Sequence, residues 1–132
     1  MSLVKLLPAW FHAIADYAVG ISLIVVALVD HGSDGAVATG VVIGAVVLIV
    51  SALTRYPLGI IKVLPFTVHS AGDYLAAVLL IGAPFALNYA DAEGGMAAFY
   101  VAAGIAVLAV SLITNYQYNP RRDETGLGTA SA

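Results

Sequence analysis

Two histidine–aspartate pairs are the residues of this chain whose types and spacing best suit chemistry. His12 and Asp16 lie four residues apart, and His69 and Asp73 repeat that spacing later in the chain. On a helix this spacing puts both side chains on one face, one turn apart. Imidazole nitrogens and carboxylate oxygens can hydrogen-bond to each other, bind a divalent metal ion or relay protons. These four residues form the candidate polar site.

Each pair lies inside a longer repeated pattern. The pattern Lys-x-Leu-Pro-x-x-x-His-x-x-x-Asp-Tyr occurs at residues 5–17 and again at residues 62–74. A second match follows, because residues 47–56 read Val-Leu-Ile-Val-Ser-Ala-Leu-Thr-Arg-Tyr and residues 107–116 read Val-Leu-Ala-Val-Ser-Leu-Ile-Thr-Asn-Tyr. The sequence therefore predicts a tandem duplication, with additional residues between the two helices of the second unit.

The composition indicates a membrane protein. The chain has 132 residues, of which 61% are hydrophobic and only 10% charged, which is unlike a soluble domain. Four apolar runs, at residues 13–29, 36–53, 71–87 and 96–113, approach the length that a helix needs to cross about 30 Å of hydrocarbon. Lipid cannot satisfy an open backbone, so each run is predicted to be a transmembrane α-helix.

The helices are predicted to form one all-α domain spanning residues 1–132. Repeat 1 covers about 5–56 and repeat 2 about 62–116, and each contains two helices. Both repeats then enter the membrane in the same direction, which predicts a parallel pseudo-two-fold axis along the membrane normal. Residues 119–132 lack apolar periodicity and are predicted to be a disordered tail.

The basic residues predict the orientation. All of them fall on one side of the predicted topology: Lys5, Arg55, Lys62, Arg121 and Arg122. The loops on the other side carry Asp30, His31, Asp34, Asp91 and Glu93. The positive-inside rule places both termini and the central loop in the cytoplasm, in a bacterial cytoplasmic membrane. Trp10, Tyr56, Phe66 and Tyr116 are predicted to anchor that interface. So few dispersed basic residues give no indication of a nucleic-acid partner.

Two stripes of small residues suggest where helices approach closely. They recur at every fourth position: Ala36, Gly40 and Gly44 in the second run, and Ala98, Ala102 and Ala106 in the fourth. Such stripes let two helix backbones pack together in a membrane. Packing within the bundle is the preferred interpretation, and a dimer interface is the alternative.

The prolines place the two pairs at a particular depth. Pro8 and Pro65 precede the histidines by four residues, and proline is tolerated in the first helical turn. The aspartates should then lie on the order of 12 Å inside their helices. An ionisable group costs about 2 to 3 kcal/mol at the membrane centre and less near its edge. We therefore expect the four side chains to face the protein interior.

Three interpretations of the pairs remain open. The favoured one is structural: each aspartate accepts a hydrogen bond from a histidine and locks the bundle. The second is a metal or cofactor site with His12, Asp16, His69 and Asp73 as candidate ligands, and the third is a proton or ion relay. No cofactor is firmly implied. The chain has no cysteine, nucleophile–base set or phosphate-binding loop, so no reaction is indicated and a non-enzymatic role is favoured.

The chain resembles the SPW-repeat family of small bacterial membrane proteins over roughly residues 5–116. The matching residues are Tyr-Pro-Leu-Gly-Ile-Ile-Lys-Val-Leu-Pro at 56–65, Val68, His69, Asp73 and Ala-Pro-Phe at 83–85. The last three stand where the family has Ser-Pro-Trp, and the first repeat has Val-Ala-Leu at 26–28. The resemblance implies two helices per repeat and an integral membrane protein, and it implies no substrate.

Together these features predict a structural or interaction module of the membrane. Its expected partners are the lipid bilayer, a second copy of the chain or a larger membrane complex in which it is an accessory subunit. The alternative is a metal- or cofactor-binding or proton- or ion-conducting protein that uses the two pairs. The sequence specifies neither a ligand nor an oligomeric state.

Overall fold

The computed structural model of the protein describes residues 7–114. Its helices are α1 (Ala9–Asp30), α2 (Asp34–Leu53), α3 (Phe66–Ala86) and α4 (Gly94–Ile113). Each has 20 to 22 residues and is apolar enough to cross a membrane, since about 1.5 Å per residue gives roughly 30 Å. The predicted all-α fold with four membrane-spanning helices is confirmed. The predicted tail at 119–132, and Lys5, Tyr116, Arg121 and Arg122, lie outside the described residues.

The first helix of each repeat begins directly after its proline. The carbonyl of Pro8 accepts the amide of His12 at 3.2 Å, and the carbonyl of Pro65 accepts the amide of His69 at 3.1 Å. Proline suits this place because its fixed φ matches the helix and no amide is needed there. The prolines thus set each histidine one turn into its helix.

Within each repeat, the two helices pack closely through glycine. A Cβ on Gly44 of α2 would lie 2.8 Å from the carbonyl oxygen of Gly20 in α1. A Cβ on Gly104 of α4 would lie 2.9 Å from the carbonyl oxygen of Ala77 in α3. Gly40 likewise packs against α1, where its Cβ would lie 2.7 Å from the carbonyl oxygen of Leu23. Each repeat is therefore a tight helical hairpin.

The alanine stripe of α4 does not pack inside the bundle. Ala102 and Ala106 are exposed, as is Ala98, so the prediction that they pack within the bundle is wrong. The buried residue between them is Gly104, which lies two positions from either alanine and therefore about 200° around the helix. Glycine allows the closer approach, so its side of α4 faces α3. The dimer interface remains a prediction.

The two repeats bury equivalent positions. On α1 and α3 the equivalent buried pairs are Ala9 and Phe66, His12 and His69, Ala13 and Ser70, Asp16 and Asp73, Gly20 and Ala77, Leu23 and Leu80, and Ala27 and Pro84. On α2 and α4 they include Gly44 with Gly104 and Ser51 with Ser111. The two hairpins are thus copies of one structural unit.

Backbone bridges join the hairpins at one end of the bundle. The amide of Leu64 bonds to the Leu53 carbonyl at 2.7 Å, and the equivalent Leu7 amide bonds to the Ile113 carbonyl at 2.8 Å. Each bridge links the end of one repeat's second helix to the start of the other repeat's first helix. Both bridges lie at the same end of the bundle, the end that carries the central loop, residues 54–65. The axis that relates the two repeats therefore runs along the bundle. We call this end of the bundle the central-loop end. We call the opposite end, which carries the loops at 31–33 and 87–93, the hairpin-loop end.

The outward faces of the helices are apolar. Ile21, Val46, Leu75 and Ile105, one from each helix, are between 52% and 61% exposed. Many other large hydrophobic side chains are exposed in the same way, which in water would be a very large apolar surface. These faces suit contact with lipid acyl chains.

Candidate functional site: a buried histidine–aspartate cluster

The structure brings the two histidine–aspartate pairs together at the central-loop end. His12, Asp16, His69 and Asp73 each offer one nitrogen or oxygen ligand atom, and these atoms all lie within 4.8 Å of one another. The histidines are 1% exposed and the aspartates 6%. We call these four side chains the His–Asp cluster.

The cluster is a closed ring in which imidazoles and carboxylates alternate. Nε2 of His12 lies 2.9 Å from Oδ2 of Asp73 and 3.3 Å from Oδ1 of Asp16. Nε2 of His69 lies 2.9 Å from Oδ2 of Asp16 and 3.0 Å from Oδ1 of Asp73. Each histidine is thus closest to the aspartate of the other repeat, and each carboxylate bridges both rings.

The two imidazoles differ in how well their contacts are directed. The contact between His12 Nε2 and Asp73 has hydrogen-bond geometry at 2.9 Å. Nε2 of His69 lies as close to two carboxylate oxygens, but neither lies along its N–H direction, so this nitrogen has no hydrogen-bond partner among the described residues. A hydrogen bond requires alignment as well as a short distance, so the contacts of His69 Nε2 with the two carboxylates are electrostatic.

A threonine hydroxyl contacts the other nitrogen of each ring. Oγ1 of Thr54 lies 2.7 Å from Nδ1 of His69, and Oγ1 of Thr114 lies 2.7 Å from Nδ1 of His12. Both threonines follow the second helix of their repeat and reach the histidine of the other repeat. The backbone bridges between the hairpins bring them there.

The hydroxyl proton of each threonine is committed to a backbone carbonyl. The Thr54 amide bonds to the Ser51 carbonyl, which leaves the Val50 carbonyl to the Thr54 hydroxyl at 2.6 Å. A hydroxyl has one proton, so its oxygen must accept a hydrogen bond from Nδ1–H of His69. The same hydroxyl-to-carbonyl bond occurs at Thr114, at 2.5 Å. Both rings therefore carry hydrogen on Nδ1 and turn Nε2 toward the carboxylates.

This tautomer defines what the cluster can bind. A neutral ring with hydrogen on Nδ1 presents a lone pair at Nε2, which repels the carboxylate oxygens unless a positive charge lies between them. Two carboxylates in a low-dielectric interior require two positive charges to be neutral. Two protons, one on each Nε2, or one divalent cation would supply them.

Tyr56 contributes to the cluster from the central loop. It is fully buried, and its hydroxyl donates to Oδ2 of Asp16 at 3.1 Å. Burial first, and then the Asp16 charge, raise the pKa of the Tyr56 hydroxyl well above its ordinary value, so it remains a donor. Tyr56 is therefore buried in the bundle and does not present its ring to lipid as an aromatic anchor would. Its repetition as Tyr116, parallel to the repeated His and Asp, was the available signal.

Phe66 closes the cluster on one side. Its ring centroid lies 5.3 Å from that of His12, 5.8 Å from that of His69 and 5.2 Å from that of Tyr56. Phe66 is 3% exposed and faces the protein rather than lipid, unlike an aromatic anchor, whereas Trp10 is 52% exposed. The repeat equivalent of Phe66 is Ala9, so this aromatic cover belongs to one repeat alone.

An apolar cavity leads from the surface between α2 and α3 to the cluster. Its volume is about 160 Å³, and its walls include Val42, Val46, Val50, Leu75 and Leu79. His69 and Asp73 are its ionisable lining residues. One side of the cluster thus borders apolar space rather than packed protein.

No protein-family model, curated protein or solved structure matches this chain. The resemblance to the SPW-repeat family therefore remains a prediction from the residues quoted above.

Proposed function

We propose that this protein is a structural or interaction module of a membrane, in which the His–Asp cluster joins two helical hairpins. The observation that carries the proposal is that each histidine lies closest to the aspartate of the other repeat. The closest carboxylate to His12 belongs to Asp73, and the closest to His69 belongs to Asp16, each at 2.9 Å. The shortest ring contacts therefore link the two repeats.

Polar contacts of this kind suit association inside a membrane. Helices in lipid gain no hydrophobic stabilisation from contact with each other, so close packing and polar contacts hold them together. Within each hairpin, glycines supply the close packing. Separation of the hairpins would break the closest carboxylate contact of each histidine and uncover four buried ionisable groups, at a cost of several kcal/mol. The cluster thus favours one pairing of the hairpins.

The surroundings support an accessory or self-associating role. The exposed faces of all four helices are apolar, and the Ala98, Ala102 and Ala106 stripe of α4 is free for close approach by another helix. We propose that lipid and either a second copy or a larger membrane complex occupy these faces. We also propose that the chain belongs to the SPW-repeat family and lies in a bacterial cytoplasmic membrane, with both termini and the central loop inside the cell.

Two substitutions of Asp16 test the structural role. Asp16→Asn should retain most of the stability, because the amide oxygen still accepts hydrogen bonds. Asp16→Leu should lower the free energy of unfolding by about 1 to 3 kcal/mol, because it strands the buried Tyr56 hydroxyl donor and removes the carboxylate that His69 contacts. Thermal melts of full-length protein in detergent, with a chelator present, provide the comparison. Asp91→Leu in the exposed 87–93 loop is the control. Equal and negligible effects of both Asp16 variants would refute the role.

A further inference from the structure

We propose that the His–Asp cluster is a binding site for one divalent transition-metal ion. Its ligands would be Nε2 of His12, Nε2 of His69 and one carboxylate oxygen from each of Asp16 and Asp73. This inference goes beyond the structural role proposed above and does not depend on it, because two protons can complete the same cluster.

The four side chains lie close enough together to form a four-coordinate site. One ligand atom from each residue lies within 4.8 Å of the other three, and the shortest nitrogen–oxygen separations are 2.9 Å. A tetrahedral ion about 2.0 to 2.1 Å from each ligand keeps neighbouring ligand atoms roughly 3.3 Å apart. Bringing all four ligand atoms to that separation would move them by at most about 1.5 Å relative to one another, which is within the reach of side-chain rotation. Four protein ligands would close the coordination sphere.

The histidines are oriented as metal ligands are. A metal-binding imidazole usually donates its other N–H to a fixed acceptor, which holds the coordinating nitrogen in place. Thr54 is that acceptor for His69, and Thr114 is that acceptor for His12. Nε2 of His69 is buried, faces two carboxylates and makes no directed hydrogen bond among the described residues. This nitrogen is therefore available to a cation.

Charge and ligand type select the ion. Two carboxylates and two neutral imidazoles become neutral with a divalent cation, which takes the place of two protons. A monovalent or trivalent ion would leave a net charge in a low-dielectric interior, at considerable cost. Nitrogen and carboxylate ligands in a closed set of four suit Zn²⁺ and similar first-row divalent ions, and do not suit Cu(I), which prefers sulfur.

Metal titration of the purified full-length protein tests the site. Chelator-treated protein in detergent should bind one Zn²⁺ per chain, measured by elemental analysis after removal of free ion. Co²⁺ should bind in its place and give the visible absorption of a four-coordinate nitrogen–oxygen site, which Zn²⁺ should then abolish. His31→Gln is the matched control because His31 is exposed in the loop between α1 and α2, and it should bind normally.

The threonines supply variants that leave all four ligands in place. Thr54→Val should weaken Zn²⁺ binding by about 10- to 100-fold, because His69 loses the acceptor at Nδ1, and Thr54→Ser should restore it. The double variant His12→Gln/His69→Gln should abolish the Co²⁺ spectrum. Fewer than about 0.1 ion per chain in folded wild-type protein would overturn the metal site. Unaltered binding by the double variant would also overturn it. Melts in chelator test the structural role separately.

Discussion

The two ends of the bundle connect the repeats in different ways. At the central-loop end the contact between threonine and histidine occurs twice: Thr54 to His69 and Thr114 to His12 both measure 2.7 Å. At the hairpin-loop end the contacts occur once. There the Tyr100 hydroxyl donates to the Ala36 carbonyl at 2.7 Å, and no equivalent bond can form at the glycine that occupies the matching position in repeat 1.

The hairpin-loop end pairs positions with their own repeat equivalents. Gly40 and Tyr100 are equivalent, and the Tyr100 hydroxyl packs against Gly40. Ser33 and Glu93 are also equivalent, and the Ser33 hydroxyl donates to Glu93 at 2.7 Å. A residue near a two-fold axis meets its own counterpart. Two tyrosines would collide there and two glutamates would repel each other, so the copies carry complementary residues instead.

The comparison shows how a duplicated chain can use symmetry at one end and lose it at the other. In the His–Asp cluster each copy already carries both partners, a histidine and an aspartate, so symmetric pairing brings each histidine within 2.9 Å of the other copy's carboxylate. At the hairpin-loop end one side chain must fit against its counterpart, and identical residues cannot satisfy that requirement. Symmetric contacts should therefore respond equally to substitution in either repeat, and asymmetric contacts should not.

The largest effect is expected at the hairpin-loop end, from Gly40→Leu. A Cβ there would lie 2.6 Å from the Ala27 Cβ and 2.7 Å from the Leu23 carbonyl oxygen, and it would also meet the Tyr100 hydroxyl. Forcing the backbones apart should cost about 3 kcal/mol in the free energy of unfolding. Gly82→Leu is the matched control, because a Cβ at Gly82 meets nothing within 4 Å. Similar melting temperatures for both variants would contradict the close approach.

A smaller and symmetric effect is expected from Thr54→Val and Thr114→Val. Each leaves the Nδ1–H of one buried histidine without an acceptor and should cost about 1 to 3 kcal/mol. Because the contact between threonine and histidine measures 2.7 Å at both sites, the two losses should agree to within about 0.5 kcal/mol. Melting each variant in chelator provides the measurement. A large loss in one variant and none in the other would break the symmetry of the central-loop end.

The smallest effect is expected from Tyr100→Phe. The ring remains packed against Gly40, but the buried Ala36 carbonyl loses the hydroxyl that donates to it. The cost should be about 1 kcal/mol, the typical contribution of one hydrogen bond. Phe99→Leu on the same helix is a packing control. A loss as large as that of Gly40→Leu would mean that the hydroxyl, rather than the fit of ring against glycine, determines this contact.

The sequence by itself determined the elements and the identities of the polar residues. Four apolar runs had to be helices, because lipid offers the backbone no hydrogen-bond partners. The prolines set where α1 and α3 begin, and the repeated spacing named His12, Asp16, His69 and Asp73. These inferences depend on local chemistry and on the duplication, and both can be read along the chain.

Only the tertiary structure decided which face of α4 turns inward and which residues of different helices meet. A helix that is apolar on every side carries little signal of its buried face. For that reason the prediction that Ala102 and Ala106 pack inside the bundle is wrong. The cross-repeat pairing, the threonine at each Nδ1 and the burial of Tyr56 arise where different helices and the central loop converge. The rotation of α4 is set by its packing against α3, through close backbone approach at Gly104, and no local pattern specifies it.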